Sequence, residues 1–143
     1  MGYRLSDVNF GNINLRNGAY DKYDAYNQSK LCNVLFSREL AKRLQDTNIN
    51  AYSLHPGAIN TDIKRYISSS EGVSRFLLMT PEMGSQTTLY CALDDQLDNE
   101  SGFHYENCRR VQHMVGQSVD DSIAHKLWEL SADLVALETH LTI

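Results

Sequence analysis

The chain has little with which to cross a membrane, build a disulfide scaffold or grip nucleic acid. Its longest apolar run near the middle is FLLM, residues 76–79, far short of the roughly 20 residues a bilayer span needs. The amino-terminal stretch MGYRLSDVNF lacks the charged-then-apolar layout of a signal peptide. A cytoplasmic location, or one on the cytosolic face of a membrane, is the expectation. Cysteine is scarce and odd in number: Cys32, Cys91 and Cys108 show no paired spacing, so reduced thiols are expected. The net charge of −5, with 13 basic against 18 acidic residues, leaves no electrostatic footprint for nucleic acid. The one basic cluster, SRELAKRL, is interrupted by Glu39 and reads as a solvated helix face. The glycines are also spread thin. Gly2, Gly11 and Gly18 are too widely spaced for a G-x-x-x-G-x-G turn around a pyrophosphate, and no G-x-S-x-G elbow occurs for a serine hydrolase. His104, Cys108 and His113 are of metal-ligand type, but their irregular spacing across a strand end argues against a metal site.

What is present is ordinary globular material. An apolar fraction of 42% and a charged fraction of 22% over 143 residues allow one domain with a real core. Residues 1–20 show no sustained period and read as a loop. Asp21 and Asp24 supply a cap and a first-turn carboxylate for a helix over 21–46 that neither Pro nor Gly interrupts. Leu31, Val34, Leu35 and Ala41 form one apolar stripe on it, and Phe36, Leu40 and Leu44 a second. Two stripes imply burial on two sides, against a sheet and against another helix or subunit. A strand over 49–55 ends at His55-Pro56-Gly57, and a Ser-rich excursion fills 58–79. Thr80 and Pro81 open a helix over 80–94. A strand follows at 102–107, and a helix at 118–138 begins at a Ser118–Asp121 capping pair. Along that last helix Ile123, Leu127, Leu130, Leu134 and Leu137 make one apolar face. This alternation of helix and strand predicts an α/β fold with parallel pairing and right-handed crossovers.

Tyr26 precedes Lys30 by four residues within DAYNQSKLCNVLF, so both lie on one helix face. A phenol of pKa about 10 is a poor acid–base at neutral pH. An ammonium within roughly 4–6 Å favours the phenolate and brings proton exchange with a substrate oxygen within reach. The three donors of the lysine are free to hold ribose hydroxyls. Taken alone, in a chain with eight tyrosines, the spacing reads better as a packed tyrosine beside an exposed lysine.

The wider context is more specific. AYNQSKLCNVLFSRELAKRL, then LHPGAINTDI, TPEMGSQTTLYCALD, SGFHYENC and AHKLWELSADLV follow one another at spacings that resemble the short-chain dehydrogenase/reductase family. The likeness is to its retinol-dehydrogenase-like branch and to the oxidoreductase domain of the WW-domain-containing oxidoreductases. The resemblance runs from about residue 6 to residue 137. It implies a Rossmann-like doubly wound parallel sheet and hydride transfer between NADP or NAD, with NADP favoured, and a small lipophilic alcohol or carbonyl such as a retinoid. It also implies Tyr26 as acid/base, Lys30 as the ribose-holding and relay lysine, and Ser29 as the serine often found before that lysine. Pro56 and Gly57 become the turn closing over the nicotinamide, with the backbone of Ala58 and Ile59 on its carboxamide and Thr61 near the phosphates. Tyr66, Phe76, Leu77, Leu78 and Met79 become an apolar substrate loop. His55 is expected to have no chemical role.

The same resemblance exposes what is absent. The glycine-rich fingerprint, the family's Asn-Asn-Ala-Gly strand and its Ser-Ser strand, which supplies the serine for the substrate oxygen, do not occur. Ser6 lies beyond that last strand and reads as a loop serine. The chain therefore resembles the carboxyl-terminal half of the fold, lacking the nucleotide-binding half, and negligible activity is expected of it alone. A different class of function, a non-catalytic interaction module that dimerises through the 21–46 helix, stays open at this level.

Overall fold

The computed structural model describes residues 2–4, 6–60, 78–138 and 140. Helix α1 runs over Lys22–Arg43, started by the Asp21 carboxylate, which accepts from the amides of Tyr23 and Asp24. It carries Asp24 in its first turn and Lys42 and Arg43 in its last, each complementary to the helix dipole. Leu31 and Leu35 are fully buried and join Val34, Tyr3, Val8, Ala124 and Leu127 in the core cluster. Each leucine or valine among them contributes about 1.5–3 kcal/mol of burial.

The irregular amino-terminal segment contributes to this core. It contains two 3₁₀ turns, Gly2–Arg4 and Phe10–Asn12, and is stitched down by amide side chains. Gln28 on α1 accepts from the Asn9 amide at 2.9 Å and donates to the Ile13 carbonyl at 3.0 Å. Gln117 accepts from the Val8 amide at 2.8 Å.

Strand β1, Ser53–His55, pairs in parallel with β2, His104–Glu106. A two-residue strand β3, Arg109–Arg110, returns antiparallel to β2, so the sheet order is β1-β2-β3. Asn107 and Cys108 make that return with φ of 52° and 55°, the positive pair a two-residue hairpin turn demands. Both ladder strands are shorter than the alternation in the sequence predicts, for local reasons. Ahead of Ser53, the Ala51 amide bonds the Ser101 hydroxyl instead of a ladder carbonyl. Around β2, Gly102 at φ 79° and Asn107 at φ 52° leave the extended region. The register sets Ser53 opposite His104, Leu54 opposite Tyr105 and His55 opposite Glu106. Strand alternation then collects Ser53, His55, His104 and Glu106 on one face and Leu54 and Tyr105 on the other.

Helix α2, Pro81–Leu93, starts at Thr80, whose hydroxyl accepts from the Met83 amide. Gly84 in its first turn meets Ile59 so closely that a Cβ would lie 2.0 Å from Ile59 Cδ1. Helix α3, Asp121–Leu134, is capped by Asp120, which accepts from the amides of Ser122 and Ile123. This corrects the expected Ser118–Asp121 capping pair. Ser118 is buried in a 3₁₀ turn and gives its hydroxyl proton to the Val115 carbonyl at 2.6 Å. The helix stops at Leu134 because the chain turns left-handed at Ala136, φ 50°. Phe36 of the second stripe stacks on Trp128 of α3 at 5.0 Å between ring centres. Beside that stack the buried Glu39 carboxylate accepts from Arg43 at 2.9 Å and lies 3.2 Å from His125 Nδ1.

Candidate active site

Tyr26 and Lys30 stand one turn apart on the exposed amino-terminal half of α1. Tyr26 keeps 43% of its surface exposed, and the Lys30 ammonium lies 5.2 Å from its ring centre. The ammonium sits over the electron-rich face, which favours the cation–π pair. The Ser29 hydroxyl turns back to the Tyr26 carbonyl at 2.7 Å, a local helix bond. Tyr26 and Lys30 form one wall of a cleft of about 330 Å³, and Pro56 and Gly57 at the carboxyl end of β1 form part of another. Open α/β sheets bind ligands at this end of their strands. Asn33, three residues past Lys30, also lines the cleft; the helical spacing i, i+3 would have marked it.

Gly57 is required twice over. Its φ is +95°, and a Cβ there would lie 2.5 Å from the sulfur of Met79. Replacing Gly57 by alanine is expected to cost roughly 1–3 kcal/mol, read as a lower urea midpoint with an unchanged slope.

The remaining expected site residues are distributed unevenly. Ala58 and Ile59 lie beyond the cleft lining. The Ala58 carbonyl accepts from the Met79 amide at 2.8 Å, and the Asn60 amide bonds the Met79 carbonyl at 3.0 Å, joining the two ends of the 60–78 excursion. Leu78 is half-buried, and Met79 seats against Gly57. Thr61, Tyr66, Phe76 and Leu77 lie outside the described residues.

Ser53, His55 and His104 also line the cleft, a polar set that sequence reasoning left without a role. His104 is 3% exposed, with Nδ1 2.9 Å from the Ser53 hydroxyl and Nε2 3.6 Å from Glu106 Oε1. Those last two atoms are buried without a hydrogen bond. The Tyr3 ring stands edge-on to His104 at 4.8 Å, and Arg4 reaches to 4.0 Å from Glu106. Burial pushes the pKa of His104 below the ordinary histidine value, against the opposing pull of Glu106. Burial likewise lowers His55. A histidine whose folded pKa is depressed binds its proton more readily in the unfolded chain. Stability is therefore lost as pH falls through about 6.5. Thermal melts should drop between pH 7.5 and 5.5, and His104→Gln should flatten that slope. An unchanged slope in the variant would locate the pH dependence elsewhere.

Among the described residues no group of three or more His, Cys, Asp or Glu side chains could hold a metal ion, and no helix is long and apolar enough to cross a membrane.

The chain is 36% identical to retinol dehydrogenase 11 of Mus musculus over 140 residues, 96% of this chain and 44% of that protein. It is 35% identical to human retinol dehydrogenase 14, over 94% of this chain and 42% of that one. A bovine dehydrogenase/reductase SDR family member 13 is 39% identical over 79% of this chain. The chain belongs to the short-chain dehydrogenase/reductase family. It is similar to the carboxyl-terminal portion of these relatives and spans less than half of their length. A solved structure of an uncharacterized protein from Mycobacterium paratuberculosis agrees with a TM-score of 0.69 at 27% identity, over 96% of this chain and 48% of that one. No family model matches the chain. The fold is thus part of a Rossmann-like domain: its β1–β2 pairing is parallel, and β3 makes the sheet a mixed one.

Proposed function

We propose that this short-chain dehydrogenase/reductase chain carries the proton-transferring half of an NAD(P)-dependent active site acting on a small lipophilic alcohol or carbonyl. One observation carries the reading: Tyr26, Lys30, Pro56 and Gly57 share a single cleft at the carboxyl end of a parallel strand. The family supports a nicotinamide cofactor, and the residues present fit one. Lys30 offers solvent-facing donors, and Pro56 and Gly57 line the same cleft. The names of the retinol dehydrogenase relatives favour a retinoid-like substrate, and resemblance favours NADP.

In this reading Tyr26 gives its phenolic proton to the substrate oxygen during reduction and recovers it during oxidation. Lys30 holds ribose hydroxyls and steadies the phenolate. By the family resemblance Pro56 and Gly57 would lie against the nicotinamide, with Ala58, Ile59 and Thr61 as further cofactor residues, of which Thr61 lies outside the described residues. A nicotinamide bound there supplies or accepts the hydride. Leu78 and Met79 would border the apolar side of the substrate site, which the resemblance extends to Tyr66, Phe76 and Leu77 outside the described residues.

Positioning and preorganised electrostatics supply much of an enzyme's rate, and these 143 residues contain no pyrophosphate-binding turn. The purified chain is expected to show no measurable NADPH-dependent reduction of retinaldehyde and only weak NADPH binding by fluorescence titration. Turnover by the chain alone would overturn the half-site reading.

A second reading, an interaction module pairing through residues 21–46, draws on the exposed rings of Tyr23 (55%) and Tyr26 (43%) on α1. Light scattering discriminates: a homodimer dispersed by Tyr23→Glu favours it.

A further inference from the structure

Register across the parallel pair builds a string of side chains that proton transfer at Tyr26 does not use. Ser53 and His104 stand opposite each other, with the serine hydroxyl 2.9 Å from His104 Nδ1. On the far side of the ring, Nε2 lies 3.6 Å from Glu106 Oε1. An ionised carboxylate only accepts. It therefore favours the imidazole proton on Nε2 and leaves Nδ1 to take a proton from Ser53. The string is shielded, since the His104 side chain is 3% exposed and that of Glu106 14%. The other titratable groups facing it are His55 on β1, Tyr3 and Arg4 in the amino-terminal turn, and Lys30 on α1 across the cleft. Burial keeps His104 uncharged near neutral pH, the state a general base requires.

Ser53 is half-buried and, like His104, lines the cleft of about 330 Å³. A serine, a histidine and a carboxylate in this order are the parts of an activated nucleophile. Such a set is recognised by geometry and roles, not by a sequence motif, so the missing G-x-S-x-G elbow does not exclude it. The elbow's absence does change where an oxyanion would be held. The Ser53 amide already bonds the Phe103 carbonyl at 3.1 Å and is not free to donate. Lys30 and Asn33 line the same cleft, and their side chains are N–H donors of the kind that stabilises developing negative charge. Val34 and Leu54 add apolar lining.

We propose that Ser53 is a nucleophile of this cleft, with His104 as its general base and Glu106 as the carboxylate that positions His104, and that small esters acylate it. The Ser53 Oγ bonds the ester carbonyl carbon while its proton passes to His104 Nδ1. The carbonyl oxygen takes the negative charge on the side of Lys30 and Asn33. As the carbonyl re-forms, the bond to the alcohol oxygen breaks, and that oxygen recovers the proton from His104. Water then repeats the sequence on the acyl-serine and releases the acid. No nicotinamide enters these steps, so the inference stands apart from the half-site reading.

The test treats the full 143-residue chain with a fluorophosphonate probe. There Ser53 Oγ bonds phosphorus, fluoride leaves, and the hydroxyl proton stays on His104. Peptide mass mapping should place the adduct on Ser53, and Ser53→Ala should abolish it. His104→Gln should slow labelling at least about 100-fold. Glu106→Gln should slow it at least about tenfold and move the midpoint of its pH profile downward, because the carboxylate no longer favours the imidazolium. A carboxylate that only braced the strands would leave that midpoint in place. Circular dichroism checks each variant, and if His104→Gln unfolds, Ser53→Ala and Glu106→Gln decide. Release of p-nitrophenol from its acetate should be lost with the same substitutions. No adduct on Ser53, an adduct on Tyr26 or Lys30 in its place, or labelling indifferent to the loss of His104 and Glu106 would each overturn the nucleophile. Labelling without Ser53-dependent hydrolysis of p-nitrophenyl acetate would overturn the ester as its substrate.

Discussion

Truncating Leu31 to alanine is expected to cost about 2–5 kcal/mol and to leave a large part of the chain unfolded at 25 °C. Leu31 is fully buried, and among the described residues it sits in a core cluster of seven buried residues shared by α1, α3 and the amino-terminal segment. A whole domain is stable by roughly 5–15 kcal/mol, so a loss of that size is a large share of the total. The core cannot collapse around the missing atoms without moving α1 against α3, so the cavity term adds to the transfer term. Urea titration followed by circular dichroism reads the loss. Leu93→Ala, at a position 73% exposed, is the control and should shift stability by no more than about 0.5 kcal/mol. Equal effects at the two positions would mean that the described core is not the one that holds the chain together.

Replacing Tyr26 by phenylalanine is expected to leave stability nearly unchanged and to remove about 10²–10⁴-fold of the reductase rate in a domain completed by its nucleotide-binding half. The separation of effects follows from the geometry. Tyr26 is largely solvent-facing, and phenylalanine keeps the ring over which Lys30 sits; only the hydroxyl goes. Lys30→Met should lower the rate comparably and also weaken cofactor binding, because its donors are lost along with its charge. Steady-state NADPH oxidation with an aldehyde substrate measures both. Near-normal turnover by the Tyr26→Phe variant would strip Tyr26 of its role as proton donor.

Much of the candidate site is legible in the residues because its central pair is local. Tyr26 and Lys30 share a helix face by spacing alone, and Asp21 starts that helix with a cap any sequence reading finds. Pro56 and Gly57 announce a turn after an apolar alternation, and the left-handed φ of Gly57 is the reason glycine stands there. The polar floor was harder to see. His55 reads as a strand-end histidine until β1 and β2 are in register. Then Ser53 meets His104, His55 meets Glu106, and four polar side chains share one face of a parallel pair. Pairing between residues some fifty positions apart leaves no local signal in either strand. Gly84 was silent for the same reason, since its need for a small side chain comes from Ile59 across the helix–strand contact.

By itself the sequence determined the order of helix and strand, the caps at Asp21 and Thr80, the catalytic-type pair on one helix and the absence of a pyrophosphate turn. These rest on spacing within a few residues, where covalent geometry and side-chain chemistry leave little choice. The tertiary structure alone decided that Phe36 stacks on Trp128 of α3, and that Asn33, Ser53, His55 and His104 join Tyr26 and Lys30 around one cleft. It also decided that β1 comes first in the sheet order among the described residues. Those outcomes depend on which elements pack together and in what register, and that is settled by the burial of whole faces.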